Sequence, residues 1–207
     1  MIIKVCGMRE AKNIQEVENL GVDWMGFIFY EKSKRFVSER PEYIPMKVKR
    51  IGVFVDSTIE DILTKLEEFQ LDGIQLHGSE SPEYCQELRK RINQSILINK
   101  AFGIRTIDDL KQSYDYEGVC DYILFDTKTE SKGGSGQSFD WSILTHYQGE
   151  TPFLLSGGIG LENEEELKSF HHERLAGVDL NSRFEISPAL KDTNKLDLFL
   201  KKFNRYE

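Results

Sequence analysis

Eight short apolar segments punctuate the chain, and their spacing limits what it can fold into. They are "IIKVC" (2–6), "DWMGFIFY" (23–30), "RIGVFV" (50–55), "DGIQLH" (72–77), "ILINKAF" (96–102), "CDYILFD" (120–126), "TPFLLSGG" (151–158) and "LAGVDLNS" (175–182). Each is almost continuously hydrophobic, as strands buried on both faces of a parallel sheet should be. Polar, periodic stretches separate most of them. "TIEDILTKLEEF" (58–69) places Ile59, Ile62, Leu63, Leu66 and Phe69 on one stripe, with Thr58 or Ser57 as a cap. "SPEYCQELRKRI" (81–92) has Ser81 before a proline, the N-cap and first helical position of a helix. "TIDDLKQSY", "FDWSILTHY", "LENEEELKSF" and "KLDLFLKKF" read as further helices, and "SERPEYIP" (38–45) as a weak one.

Strand–helix alternation over eight rounds predicts an α/β fold, a single-domain (β/α)8 TIM barrel over residues 1–207. The rival is an open doubly wound sheet. It would carry GxGxxG after the first strand, where this chain has "CGMREA". The 207 residues suit one domain, and a net charge of −8 argues against a nucleic-acid surface. No apolar run approaches the roughly 20 residues of a membrane span, so no membrane partner is expected. No secretory leader is read in "MIIKV". Cys6, Cys85 and Cys120 are an odd number without CxxC spacing. That fits a reducing cytoplasm, and a zinc site is not expected.

In a barrel, chemistry gathers at the C-terminal ends of the strands. The polar residues closing the apolar runs are Cys6, Asp56, His77, Lys100, Asp126, Ser156 with Gly157 and Gly158, and Asn181 with Ser182. Arg35 follows the second run. Side chains alternate along a strand, so Lys4 lies one layer below Cys6. A buried lysine needs a partner, and Asp179 on the last run is the candidate. Cys85 and Cys120 read as core positions. "SGGIG" (156–160) and "NSRF" (181–184), which adds Arg183, carry the glycines, amide and hydroxyl of a phosphate site after the last two strands. The plainer alternative is that these glycines only make tight turns. "TKTESKGGSGQSF" (127–139) reads as a mobile flap.

Taken in order, these elements resemble the phosphoribosylanthranilate isomerase family of tryptophan biosynthesis. The resemblance rests on "KVCG" (4–7), "GFIF" (26–29) followed by "SKR" (33–35), and "GVFV" (52–55). It continues with "IQLHG" (74–78), "FD" (125–126), "GGSGQSFDW" (133–141), "SGG" (156–158), "GVD" (177–179) and "KD" (191–192). It implies an Amadori rearrangement of N-(5-phosphoribosyl)anthranilate to 1-(2-carboxyphenylamino)-1-deoxyribulose 5-phosphate, with no metal or other cofactor. It implies Cys6 as general base, Asp126 as general acid and Arg35 as the anthranilate carboxylate receptor. The phosphate falls to the backbone around Gly158 and Ser182, and His77, Gly157, Asn181 and Arg183 complete the expected substrate contacts. The only expected partner is this phosphorylated small molecule. The chain departs from the family at Lys34, where a proline is usual, at "NSRFE" in place of "SSGVE", and at "PAL" in place of "PG". Either the phosphate loop is therefore reshaped, or Arg183 contacts the phosphate or covers it.

Overall fold

A computed structural model describes residues 1–127 and 140–203. The expected flap, with its "GGSGQS" cluster, lies almost wholly outside the described residues. Among the described residues, eight parallel strands close a barrel in sequence order. They are β1 (Ile2–Cys6), β2 (Trp24–Ile28), β3 (Lys49–Phe54), β4 (Gly73–Leu76), β5 (Leu97–Ile104), β6 (Tyr122–Thr127), β7 (Phe153–Leu155) and β8 (Leu175–Leu180). Each of the eight apolar runs supplies one strand.

Helices α1 (Ala11–Asn19), α2 (Ile59–Phe69), α3 (Pro82–Arg91), α4 (Lys111–Tyr114), α5 (Glu164–Ser169) and α6 (Thr193–Lys202) pack outside. Local chemistry sets their starts. Thr58 accepts from the Asp61 N–H at 3.1 Å, Ser81 from Tyr84 at 3.3 Å and Asp192 from Lys195 at 3.0 Å. Three helix readings are corrected. Residues 38–48 form no helix: the carboxylate of Glu18 on α1 takes the Tyr43 hydroxyl and the Met46 and Lys47 N–H groups. The "FDWSILTHY" segment is a 3₁₀ helix over Trp141–His146 rather than an α-helix, and "TIDDLKQSY" begins as 3₁₀ before α4.

Two cores result. The larger fills the layer between strands and helices, with Val5, Phe27, Phe125, Phe153, Leu196 and Phe199 among its residues. Cys85 and Cys120 are buried in it, as the sequence led one to expect. The smaller lies inside the barrel and joins Trp24, Ile51, Ala101, Leu124 and Leu154. Above that apolar plug the lumen turns polar. The barrel closes between β1 and β8 in a register that sets Lys4 beside Asp179. Their side chains pair at 3.0 Å, fully or nearly buried, which is the predicted partnership.

After β8 the chain makes a 3₁₀ turn over Ser182–Phe184 and then a short hairpin, β9 (Glu185–Ser187) and β10 (Leu190–Lys191). The sequence reading gave no such hairpin. It returns Lys191 to the mouth, where Asn13 of α1 clasps its backbone through bonds of 2.7 and 3.0 Å.

Candidate active site

Cys6 ends β1 with its side chain 4% exposed. Its neighbour in register is Gly26 of β2. A Cβ at Gly26 would stand 2.6 Å from the Cys6 sulfur, so only glycine leaves room for the thiol there. Burial pushes the thiol pKa up. The Lys4 ammonium, which hydrogen-bonds the sulfur, and the Lys191 ammonium pull the other way without winning. Lys4 itself stays protonated, because Asp179 and Cys6 outweigh its burial. The resting group is therefore a thiol with cations set to receive a thiolate.

Asp126 stands near the end of β6, three strands round the ring from β1. Burial raises its carboxyl to about 6, against 3.8 ordinarily. The Thr127 N–H at 2.8 Å and the Ser156 side chain offset part of that rise. His77, at the end of β4, brings Nε2 to 3.7 Å from Asp126, and its Nδ1 lies 3.1 Å from the Gln75 amide.

Between Cys6 and Asp126 in the ring lie the loops after β7 and β8. Gly157 and Gly158 both have positive φ, +88° and +68°. A Cβ on Gly157 would fall 2.3 Å from Thr127 Oγ1 and 2.9 Å from Asp126 Oδ1. Glycine is needed there both for conformation and for the approach to Asp126. Asn163 staples this loop, accepting from the Gly160 N–H and donating to the Gly158 carbonyl. Asn181 and Ser182 open the neighbouring turn after β8, half-buried at the same end of the barrel. Arg183 leans outward and pairs with Glu162.

Arg35 sits in a turn that folds back onto β2 through a bridge between Ile28 and Phe36. Lys34 is exposed within that turn. The guanidinium grips Glu185 with two edges of its fork, Nε at 2.9 and 3.1 Å and Nη2 at 2.6 Å. Glu185 also accepts from Lys191 Nζ at 2.7 Å, and Lys191 donates to Asn181 Oδ1 at 2.8 Å. A Cβ on Gly7 would meet Arg35 Cδ at 2.6 Å and Asn181 Oδ1 at 3.0 Å, so this cluster lies directly over the residue after Cys6.

The fold thus brings Cys6, His77, Asp126, Gly157, Gly158, Asn181, Ser182 and Arg35 to one end of the barrel. Two of the strand-end residues serve elsewhere. Lys100 points away from the lumen and donates to the carbonyls of Leu76, Gly78 and Ala101, and Asp56 accepts from the Ser79 N–H. Glu185 and Lys191 went unread as site residues. Their signal was present in "NSRFE" and "KD", but only the hairpin turns those two short motifs onto Arg35.

The sequence model of N-(5'-phosphoribosyl)anthranilate isomerase matches residues 3–202. The chain belongs to the N-(5'-phosphoribosyl)anthranilate isomerase family. An isomerase of that name from Parabacteroides distasonis is 54% identical, over 97% of this chain and 92% of its own length. The crystal structure of phosphoribosyl anthranilate isomerase from Thermotoga maritima superposes with a TM-score of 0.82 at 33% identity, covering 99% of each chain. A second isomerase structure, in complex with reduced 1-(o-carboxyphenylamino)-1-deoxyribulose 5-phosphate, gives a TM-score of 0.78 at 31% identity over 97% of each chain.

Proposed function

We propose that Cys6 and Asp126 are the base and acid with which this isomerase converts N-(5-phosphoribosyl)anthranilate to 1-(2-carboxyphenylamino)-1-deoxyribulose 5-phosphate. The carrying observation is geometric: Cys6 ends β1 and Asp126 lies near the end of β6, with the positive-φ glycine turn after β7 set against the Asp126 carboxylate; burial, which raises that carboxyl to about 6, supports the acid role. Asp126 gives its proton to the furanose oxygen as the C1–O bond breaks. The nitrogen lone pair forms the C1–N double bond, giving a protonated Schiff base. Cys6, as thiolate, takes the C2 proton. The C–H electron pair becomes a C1–C2 double bond and the nitrogen regains its lone pair. The enolamine then takes a proton at C1 and loses its hydroxyl proton to become the ketone, so atoms balance between isomers. Each positioned group of this kind supplies roughly 10²–10⁴ in rate.

The ring order gives each end of the substrate a place. Arg35 receives the anthranilate carboxylate beside β1 and β2. Gly157, Gly158, Asn181 and Ser182 hold the phosphate between β7 and β8, and His77 lies over Asp126. Arg183 covers the phosphate loop from outside, through Glu162. The reducing cytoplasm suits a base that must stay a free thiol.

Asp126→Asn tests the acid directly, because an amide of the same shape cannot deliver the proton. Turnover should fall by roughly 10²-fold or more. The pH profile adds a second readout. The productive form pairs a thiolate with a protonated Asp126, and its population is level between the two pKa values and falls on either side. Wild-type kcat/KM should therefore climb to about pH 6 and then hold until the raised thiol range. Residual activity of Asp126→Asn should instead rise steadily with pH, following the thiolate alone. Near-normal turnover with an unchanged profile would remove Asp126 from the mechanism.

A further inference from the structure

Arg35 does not stand alone as a carboxylate receptor. A guanidinium gripped in two places by a buried carboxylate is, by charge, already neutralised. An incoming substrate carboxylate would meet the Glu185 charge as well as the arginine, and its net attraction would be small. Lys191 changes that balance. Its Nζ is fully buried and sits 2.7 Å from Glu185, with Asn181 as its other acceptor. Glu185 further accepts the Ala189 N–H at 3.1 Å. One carboxylate is thus shared by two basic groups. Burial pulls the Lys191 pKa down and the ion pair with Glu185 offsets part of that fall; with both basic groups protonated, the cluster carries one unit of excess positive charge in a largely dehydrated place. The Lys4–Asp179 pair beneath it is neutral overall, and Cys6 rests as a thiol. Among the described residues Arg35 uses only Nε and Nη2 on Glu185, and its side chain keeps 12% of its surface exposed. The Nη1 side of the fork is left for a ligand.

We propose that Lys191 is a specificity-determining residue of the isomerase: by offsetting Glu185 it leaves the Arg35 charge available for the substrate's carboxylate. Lys191 touches no substrate atom in this account and acts through Glu185 and Arg35. The proposal rests on the reading of Arg35 as the carboxylate receptor. A structural role for Lys191 predicts that any loss at this cluster adds to any other. The charge role predicts a rescue.

The experiment measures anthranilate and inorganic phosphate as competitive inhibitors of Lys191→Met, Glu185→Gln, the double variant and Arg35→Ala, each checked by its unfolding transition. Lys191→Met restores the neutral Arg35–Glu185 pair and should weaken anthranilate by about tenfold, as expected of a charge removed at this range, and phosphate by less, through the lost bond to Asn181. Adding Glu185→Gln removes the opposing charge, keeps a carbonyl acceptor for Arg35, and should recover most of the anthranilate affinity. A double variant as weak as Lys191→Met, or an unaffected Lys191→Met, overturns the proposal. If Lys191→Met does not fold, Glu185→Gln alone decides: anthranilate binding no weaker than wild type supports the charge account, and weaker binding overturns it. Arg35→Ala separates the two levels. If it leaves anthranilate binding unchanged, the carboxylate reading itself falls. If it weakens anthranilate while Lys191→Met does not, only the role of Lys191 falls.

Discussion

Asp126 shows at the scale of one residue how a site is placed against stability. Its carboxyl titrates near 6 in the folded protein and at 3.8 when exposed. Below 3.8 both states are protonated and the group is neutral to folding. As pH rises to about 6 the unfolded chain ionises and the folded one resists, so stability falls across that window and stays lower above it. The difference amounts to roughly 3 kcal/mol at most, at 1.36 kcal/mol per unit. Asp126→Asn should therefore raise stability at pH 7 by about 2–3 kcal/mol, and the gain should vanish below about pH 4. Urea unfolding of both proteins at the two pH values checks this. A variant no more stable at pH 7 would mean that burial does not set the Asp126 titration. The sequence placed Asp126 and Cys6 correctly at strand ends because each closes an apolar run. It did not show that burial would hold the Cys6 thiol protonated, since the burial around that sulfur comes from Gly26 and β2.

At the scale of elements, the eight strands were legible because a parallel strand buried on both faces writes itself as an apolar run. Capped amphipathic helices such as α2 and α3 were legible for the same local reasons. The connections were not. "SERPEYIP" looked weakly helical, but its conformation is set by Glu18 on a distant helix. The β9–β10 hairpin was hidden because its turn uses Pro188 and then Ala189 at φ +69°, a position where glycine is the ordinary choice. An L-residue there costs about 1 kcal/mol. Ala189→Gly should accordingly stabilise the protein by up to about 1 kcal/mol, less what its buried methyl contributes. Thermal unfolding of the two proteins measures it. A variant less stable than wild type would show that methyl packing outweighs the strained turn. The hairpin also explains why Glu185 and Lys191 escaped notice. Sequence places them 150 and 156 positions from Arg35, and only this turn brings them to it.

For the whole molecule, the ring order is what converts residues into a mechanism. The chain carries a net charge of −8, yet Lys4, Arg35 and Lys191 gather at the strand ends beside Cys6. The anionic substrate is thus met by local cations on an otherwise acidic protein, and clefts of one sign concentrate such ligands. In the proposed assignment, carboxylate receptor, base, phosphate loops and acid follow one another around the mouth from β2 through β1, β8 and β7 to β6. On that proposal the sugar would lie between Cys6 and Asp126, with ring oxygen and C2 proton served from different sides. The central claim is that the thiol of Cys6 takes the C2 proton. Turnover of Cys6→Ala, followed by loss of the fluorescence of the anthranilate substrate, tests it most directly. The predicted result is a fall in kcat of roughly 10²–10⁴-fold, with binding of a product analogue unchanged and with Cys85→Ala and Cys120→Ala fully active. A Cys6→Ala enzyme that keeps about a tenth of the wild-type kcat would contradict it, since removing the base cannot leave so small a loss.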